Sequence, residues 1–223
     1  MGGDAQALRA RQRVGVRGRV PGPGHALGGR AHRRAVVLGG LGPLRGARRP
    51  QRLLHGGFGL LTVGNLRKPR FWALALLERL GEHEIGAEVS GDGAGSLVEA
   101  WAAREDDGRV TVAVWNGTLD QSKVAGDPLL DRRATGLVDG LPAGAYELRH
   151  LRMDLGHSNI AAVWEKMRGD ADWPDEAAWR TLRGADRLEA LRPPARVTPA
   201  GGVLETTFEL PLPSMSLLEL VPR

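Results

Sequence analysis

The densest group of chemically active side chains is the stretch DLGHSN, which begins at Asp154. A serine, a histidine and a carboxylate suggest either a nucleophilic triad or a metal site. A metal site needs two or three histidines or carboxylates on one face, and here only His157 and Asp154 are near enough in sequence. This pattern is more typical of helix capping, in which Ser158 or Asn159 accepts backbone N–H bonds at the start of a helix carrying Trp164. We therefore assign these five residues to capping and domain docking, and we expect no metal.

The residue inventory excludes several kinds of chemistry. The 223 residues include no cysteine, which excludes disulfides, thiolate metal sites and a cysteine nucleophile. No apolar run approaches the roughly 20 residues that span a bilayer. The N-terminus has scattered arginines and lacks the apolar region of a secretory signal. We expect a soluble, cytoplasmic protein with no cofactor and no membrane partner.

The composition changes abruptly near residue 50. Residues 1–50 contain eleven arginines, twelve glycines and one acid, Asp4, for a formal charge of +10, and they contain no aromatic residue. The remainder has a formal charge of −5. The overall charge of +5 and the isoelectric point near 10.5 therefore describe a basic segment joined to a mildly acidic domain.

This basic segment has three possible interpretations. An arginine-rich nucleic-acid binder would use phosphate neutralisation, but the segment lacks aromatic residues to stack on bases. We therefore expect no nucleic-acid partner. A disordered extension fits the scarcity of core-forming residues. Thirdly, alanine, arginine, glycine, proline, valine and leucine are the residues that GC-rich codons give when they are translated out of frame. A one-base shift of residues 34–48 can encode Ala-Leu-Ser-Tyr-Trp-Val-Val-Ser-Asp-His-Phe-Glu-Glu-Leu-Gly.

Residues 54–81 read LHGGFGLLTVGNLRKPRFWALALLERLG. Leu60, Leu61 and Val63 form a short strand-like run after a glycine turn. Pro69 fits the first position of a helix, in which apolar residues repeat at helical spacing as far as Leu80. This pattern predicts the last strand-and-helix unit of an α/β barrel.

Together, HGGFGLL, the NLRKP run at 65–69 and the amphipathic helix resemble glycoside hydrolase family 39, the β-xylosidase and α-L-iduronidase group. VWN at 114–116, DLGHSN with Trp164 after it, and SLLELVP at 216–222 support the resemblance. It extends over residues 53–223, with the motifs in order.

The resemblance implies a (β/α)8 catalytic barrel followed by a β-sandwich. Just before HGGFG, the family carries a Ser-Tyr-Trp…Ser-Asp…Phe-Glu-Glu segment, which the shifted translation of residues 34–48 recovers. Further upstream its nucleophile is a glutamate followed by tryptophan, and the shifted translation of Arg13-Val14-Gly15 can give Glu-Trp. We therefore interpret residues 1 to about 50 as the product of a frameshift or mis-assigned start.

After the helix, short strands alternate with turns. The strand pattern predicts an antiparallel β-sandwich interrupted by helices. The expected strands are 98–104, 110–115, 146–153, 203–210 and 215–221, and the expected helices are 160–168 and 175–191.

The resulting fold class is mainly β. Residues 1–52 are a disordered segment, 53–81 a remnant of the last barrel strand and helix, and 82–223 the β-sandwich with a helical insertion at about 157–192.

Retaining glycosidases need two carboxyl groups about 5–5.5 Å apart. The resemblance places both glutamates before HGGFG, and residues 1–50 contain no glutamate. We therefore expect no catalytic residues in this chain and no activity, although the full-length parent would cleave β-xylosidic or similar linkages. His55 and Phe58 would line the sugar pocket of a complete barrel, or only shape its rim.

A non-catalytic carbohydrate-binding sandwich is the alternative function, and an arginine-rich nucleic-acid binder the second alternative. Sugar binding would use an aromatic platform, but the strand positions of Trp101 and Trp115 are typical of core residues. Trp164, Trp173 and Trp179 would instead contact the barrel. The helix at Pro69–Leu80 would leave its apolar face uncovered, which predicts self-association.

Overall fold

The computed structural model describes residues 13–20, 52–54 and 59–223. These residues form a mainly β structure, as the alternating pattern predicts. The strands are β1 (Arg13–Arg19), β2 (His83–Gly91), β3 (Val98–Arg104), β4 (Val110–Asn116), β5 (Arg132–Asp139), β6 (Tyr146–Met153), β7 (Glu189–Val197), β8 (Leu204–Leu210) and β9 (Ser214–Pro222). The helices are α1 (Pro69–Glu78), α2 (Ile160–Met167) and α3 (Glu176–Ala185), with a 3₁₀ turn at Gln121–Lys123.

The nine strands form one curled sheet in the order β7-β6-β9-β4-β3-β2-β1-β5-β8. All neighbours are antiparallel except β1 and β5, which are parallel. The sheet turns at β2, whose first residues, His83 to Ile85, pair with β3, whereas Gly86 to Gly91 pair with β1. One strand therefore joins the two wings of the sheet.

The curl brings the β1-β5-β8 wing against the other strands. A Cβ atom on Gly18 of β1 would lie 3.5 Å from the side chain of Ala102, and one on Gly136 of β5 would lie 3.6 Å from that of Leu218. Side chains from both wings form one apolar cluster, here called the inner core. It includes Val14, Val16, Ile85, Val98, Val112, Val114, Ala134, Val138, Phe208, Leu210, Leu218 and Leu220.

The prediction of disorder over residues 1–52 is wrong for 13–20, where β1 lies between β2 and β5. Val14 and Val16 are each 2% exposed, whereas Arg17 and Arg19 are exposed. This is the period-two alternation of a half-buried strand. Composition averaged over fifty residues obscured this local alternation.

Helix α1 begins at Pro69, as predicted, and packs on the outer face of the sheet. Its Leu76 and the following Leu80 are buried against Ala103, Ala113, Met215 and Leu217. The expectation that its apolar face is uncovered is therefore wrong for these two leucines. Self-association through the rest of the helix stays a prediction.

The predicted strand before α1 is absent from residues 59–68. Leu61 makes an isolated bridge to Arg67, and Leu66 donates a backbone hydrogen bond to the Thr62 hydroxyl at 3.1 Å. The apolar run belongs to a tight turn, in which Asn65 has a positive φ of 60°. Apolar residues alone do not distinguish a short strand from a buried turn.

The helical insertion contains α2 and α3, but the predicted second helix extends too far. Helix α3 ends at Ala185, and Glu189–Val197 forms the edge strand β7, paired with β6 through register shifts. Helical spacing continues beyond Ala185 in the sequence, but strand pairing determines the structure there. None of the helices that the structure describes is long and apolar enough to cross a membrane.

Candidate functional site

The DLGHSN stretch forms a tight loop between β6 and α2. Asp154 is 6% exposed, and its Oδ1 accepts hydrogen bonds from the backbone N–H groups of Gly156 (2.7 Å) and His157 (2.8 Å). The same oxygen lies 2.9 Å from Nδ1 of His157. The other carboxylate oxygen lies 3.4 Å from Nε of the buried Arg152. The aspartate therefore organises the loop.

The end of this loop starts α2. Asn159 is the N-cap, and its Oδ1 accepts the N–H groups of Ala161 and Ala162, each at 3.1 Å. Ser158 is fully buried with a φ of 51°, a left-handed conformation that is uncommon outside glycine. Its backbone N–H donates to the Glu189 carboxylate at 2.7 Å.

These contacts decide the chemistry of the loop. The Ser158 hydroxyl donates to the Arg152 carbonyl at 2.7 Å and accepts from the Glu189 N–H at 2.8 Å. It is therefore committed to backbone bonds and does not complete a triad with His157. Among residues 13–20, 52–54 and 59–223, no three histidines or acids converge as metal ligands. The geometry is that of a capped loop.

His55 and Phe58, the predicted sugar-pocket residues, lie outside the described residues. The insertion contacts the chain on both sides of them. Leu53 donates a backbone hydrogen bond to the Asp172 carbonyl at 3.0 Å, and it packs with the buried Trp164. On the other side, the backbone N–H of Arg67 donates to Asp186 at 3.1 Å.

Gly64 makes the closest approach between this segment and α3. A Cβ atom at Gly64 would lie 2.2 Å from the Trp179 ring, so any larger residue there would displace that ring. Leu53, Leu66, Ile160, Trp164 and Leu182 form one buried cluster. The insertion therefore fixes the two flanks of the HGGFG motif.

Three carboxylates are buried among the described residues, and each is paired with a cation. Asp139 accepts from Arg17 at 2.7 Å, and Asp154 contacts Arg152 and His157. The third, Glu219, has its own pair of arginines, described below. A retaining pair instead needs two carboxyl groups facing one glycosidic bond.

Glu219 lies on the outer face of the sheet and is 1% exposed. Its two oxygens accept from Nε and Nη2 of Arg79 at 2.8 and 3.1 Å, a bidentate pair that joins the end of α1 to β9. Arg109 adds a second cation at 3.9 Å.

A buried polar pair on β6 was not singled out from the sequence. His150 and Arg152 are each 1% exposed and point into the inner core beside Phe208, whose ring centroid lies 4.7 Å from that of His150. Burial lowers the pKa of His150 from 6.5 to about 3, and the charges of Arg152, Arg192 and His157 act in the same direction. Its Nε2 lies 3.0 Å from the Ser216 hydroxyl. The alternation along β6 was the signal, because it places both residues on the same face as Tyr146.

The tryptophans separate into two groups. Trp164 is 3% exposed and buried in the insertion cluster, whereas Trp173 is 40% exposed. Trp101 is 43% exposed, so the expectation that it is a core residue is wrong. It lies on the outer face of β3 beside the half-buried Trp115, with the ring centroids 5.3 Å apart.

Comparisons with known proteins agree with this architecture. A β-xylosidase of Geobacillus stearothermophilus is 25% identical over 171 residues, which make up 77% of this chain and 30% of that protein. A family 39 (GH39) enzyme from Xanthomonas axonopodis pv. citri matches with a TM-score of 0.64 and 23% identity over 78% of this chain and 34% of that one. A monomeric β-xylosidase from Caulobacter crescentus CB15 gives a TM-score of 0.58 and 24% identity over the same shares.

The chain thus spans about a third of the length of these relatives. The model of Glycosyl hydrolases family 39 matches residues 44–203, more than half of the chain. This match begins inside the segment interpreted as out of frame, so similarity in the normal frame extends upstream to residue 44. The chain belongs to glycosyl hydrolase family 39.

Proposed function

We propose that this chain is a non-catalytic C-terminal part of a β-xylosidase-like glycoside hydrolase. The full-length parent would hydrolyse terminal β-xylosidic or related linkages with retention of configuration. The strongest support for this proposal is that 77% of the chain matches only 30% of a β-xylosidase. In addition, each carboxylate that the described residues bury is held by arginine or histidine. Among the described residues, each of the three buried carboxyl groups is therefore engaged by a cation within the fold.

Within this proposal, the curled sheet is the β-sandwich that follows the barrel, and residues 53–81 are the barrel's last unit. The position of α1 supports this, because α1 lies outside the inner core and is tied to the sheet by Arg79 and Glu219. His55 and Phe58 would then contribute to a sugar pocket only when the rest of the barrel is present. The insertion would hold the segment that carries them.

The purified chain should release no nitrophenol from p-nitrophenyl β-D-xyloside. An intact family 39 β-xylosidase, assayed at the same molar concentration, serves as the positive control. Release by the chain that disappears in the Asp154→Asn or Glu219→Gln variant would overturn the proposal, because a contaminating enzyme would not respond to these substitutions. Circular dichroism of each variant establishes that it is folded.

A further inference from the structure

Strand β1 fills a slot between β2 and β5, here called the β1 slot, rather than lying at an edge of the sheet. It pairs antiparallel with residues 86–91 of β2 and parallel with residues 133–139 of β5. Val14, Val16 and Val20 of β1 contribute to the inner core, and each is less than a tenth exposed. Without β1, the slot would therefore leave two strand edges unpaired and uncover part of the inner core.

The β1 slot is selective for the sequence that fills it. A Cβ atom on Gly18 would already touch the side chains of Ala102 and Val112, at 3.5 and 3.7 Å. A Cβ atom on Gly15 would lie 3.0 Å from the Ser90 hydroxyl. Larger side chains at these two positions would displace their neighbours, so a strand that fits is small at both and apolar at the inward positions between them.

Polar contacts fix the register of the strand at its far end. Nε of Arg17 donates to the Asp139 carboxylate at 2.7 Å, and the backbone N–H of Val20 donates to the Asp139 carbonyl at 2.9 Å. A Cβ atom on Gly140 would lie 2.3 Å from the Val20 carbonyl oxygen, so the chain passes closely over this glycine. The slot therefore requires one arginine at a set position between the buried valines.

All of the contacts named above come from residues 86–140, so they do not depend on the route by which the chain reaches the slot. Residues 21–51 connect Val20 to Arg52. A segment of that length can extend over about 100 Å. It is therefore long enough to bring β1 to the slot of a neighbouring molecule as well as to its own.

We propose that the β1 slot binds the β1 strand of a second copy of this chain, so that two copies exchange this strand and form a dimer. A second copy presents the same valines, glycines and arginine in the same order, so it meets every requirement of the slot. Exchange of an identical element is a low-cost route to a dimer, because each contact of the monomer is kept. The outer face of the sheet, with α1 and Trp101, takes no part in it.

Protein concentration decides between the monomer and the exchanged dimer, because the same contacts hold the strand in both. A strand tethered through a segment of this length has an effective concentration of about 1 mM at most. Exchange should therefore become substantial when the protein itself approaches a millimolar concentration, and it should be rare in dilute solution.

Introduced cysteines can report the exchange, because the chain contains no cysteine of its own. Arg19 of β1 lies opposite Gly86 of β2, and both residues are exposed. A Cβ atom on Gly86 would meet nothing within 4 Å, so a side chain fits there. A disulfide between an Arg19→Cys chain and a Gly86→Cys chain would show that β1 of one molecule lies in the slot of the other, since neither chain alone can form this bridge.

The two variants are unfolded together in urea, refolded as full chains and oxidised with diamide, and the bridged peptides are identified by mass spectrometry. Refolding at about 1 mM should bridge a substantial fraction of the chains, and refolding at about 10 μM should reduce this yield at least tenfold. Gly184→Cys replaces Gly86→Cys in the matched control, because Gly184 is an exposed glycine with equally open space but lies on α3. It should give no bridge above the level of random collision.

The double variant Arg19→Cys/Gly86→Cys shows whether β1 occupies its slot at all, because it should form a bridge within one chain at about 10 μM. A double variant that forms no bridge would overturn the proposal, and so would equal yields with Gly86→Cys and Gly184→Cys. Sedimentation of the unsubstituted chain after refolding at high concentration separates the two possible interfaces. The exchanged dimer should persist in Trp101→Ala, whereas a dimer that Trp101→Ala dissociates would assign association to the outer face and contradict the exchange.

Discussion

The two faces of the curled sheet differ in how completely the chain covers them. In the inner core, side chains from the two wings cover one another. Each is less than a tenth exposed, as at Val16, Phe208 and Leu218. The outer face is covered by α1 over Ala103, Ala113 and Leu217, yet it leaves Trp101 exposed. Stability should therefore come mainly from the inner core. The exposed part of the outer face should contribute less, because less of its apolar surface is removed from water.

The strongest test of the inner core is Val16→Asp in β1. The carboxylate would be buried without a partner, and the expected loss is about 5 kcal/mol or more of unfolding free energy. Arg19→Asn, at an exposed position of the same strand, adds no carboxylate opposite Asp139 and should cost less than about 1 kcal/mol. Urea unfolding followed by circular dichroism measures both. Equal, small effects would mean that residues 13–20 are the disordered extension that composition suggests.

The position of β1 illustrates what the sequence could predict. The β3–β4 hairpin was predicted within one residue, because its alternation flanks an Asp-Asp-Gly turn. In β1 the same alternation was outweighed by the surrounding arginines and glycines. The predicted end of the second helix was wrong because Glu189–Val197 pairs with β6, which is distant in sequence. The predicted strand at residues 60–63 was wrong because Leu61 pairs with nearby Arg67 in a tight turn.

The exposure of Trp101 could not be predicted from the sequence for a related reason. Trp101 and Trp115 stood out by type, but their strand positions favoured burial. Asn116 and Ser214 lie on the opposite face of the sheet, and they meet only because β4 pairs with β9. No local pattern shows that an asparagine amide will have its nitrogen satisfied and its oxygen unsatisfied.

A second test compares one aromatic residue from each face. Phe208 is 4% exposed and packs against His150, so Phe208→Ala should cost about 3–5 kcal/mol. Trp101→Ala removes a larger ring but from an exposed position, and it should cost less than about 1 kcal/mol. Urea unfolding measures both losses, which follow from the shift in midpoint when the dependence of free energy on urea concentration is unchanged. A loss in Trp101→Ala as large as that in Phe208→Ala would show that the outer face contributes equally to stability.

On the outer face, the largest effect is expected at Glu219. Glu219→Gln removes the charge that Arg79 and Arg109 share, and it should cost about 2–3 kcal/mol. The loss stays moderate because Arg79 is 41% exposed on its side chain and can be hydrated instead. Glu105→Gln is the matched control, since its pair with Arg109 is more exposed and should contribute less than about 0.5 kcal/mol. Thermal melts of the two variants should therefore separate clearly, and coincident melts would contradict the proposed role of the buried pair.

The smallest of these effects concerns pH and the inner core. His150 has a pKa of about 3 in the folded chain and 6.5 when unfolded, so between these values the unfolded state binds an extra proton. The stability that the folded state gains from a neutral His150 is therefore complete above pH 6.5. It is lost as the pH falls, so that the free energy of unfolding is lower by about 2 kcal/mol at pH 5. The groups that face His150 strengthen this direction, because Arg152 and Arg192 are cationic and Ser216 is neutral.

His150→Gln should flatten the dependence of unfolding free energy on pH by about one proton at pH 5 and by about a quarter of a proton at pH 7. The unsubstituted chain, unfolded under the same conditions, is the reference. The measurement is urea unfolding at half-unit pH steps in a constant ionic strength buffer. If the slope of His150→Gln coincided with that of the unsubstituted chain, the imidazole on β6 would be hydrated, and the inner core would be open to water at the β6–β8 end where His150 meets Phe208.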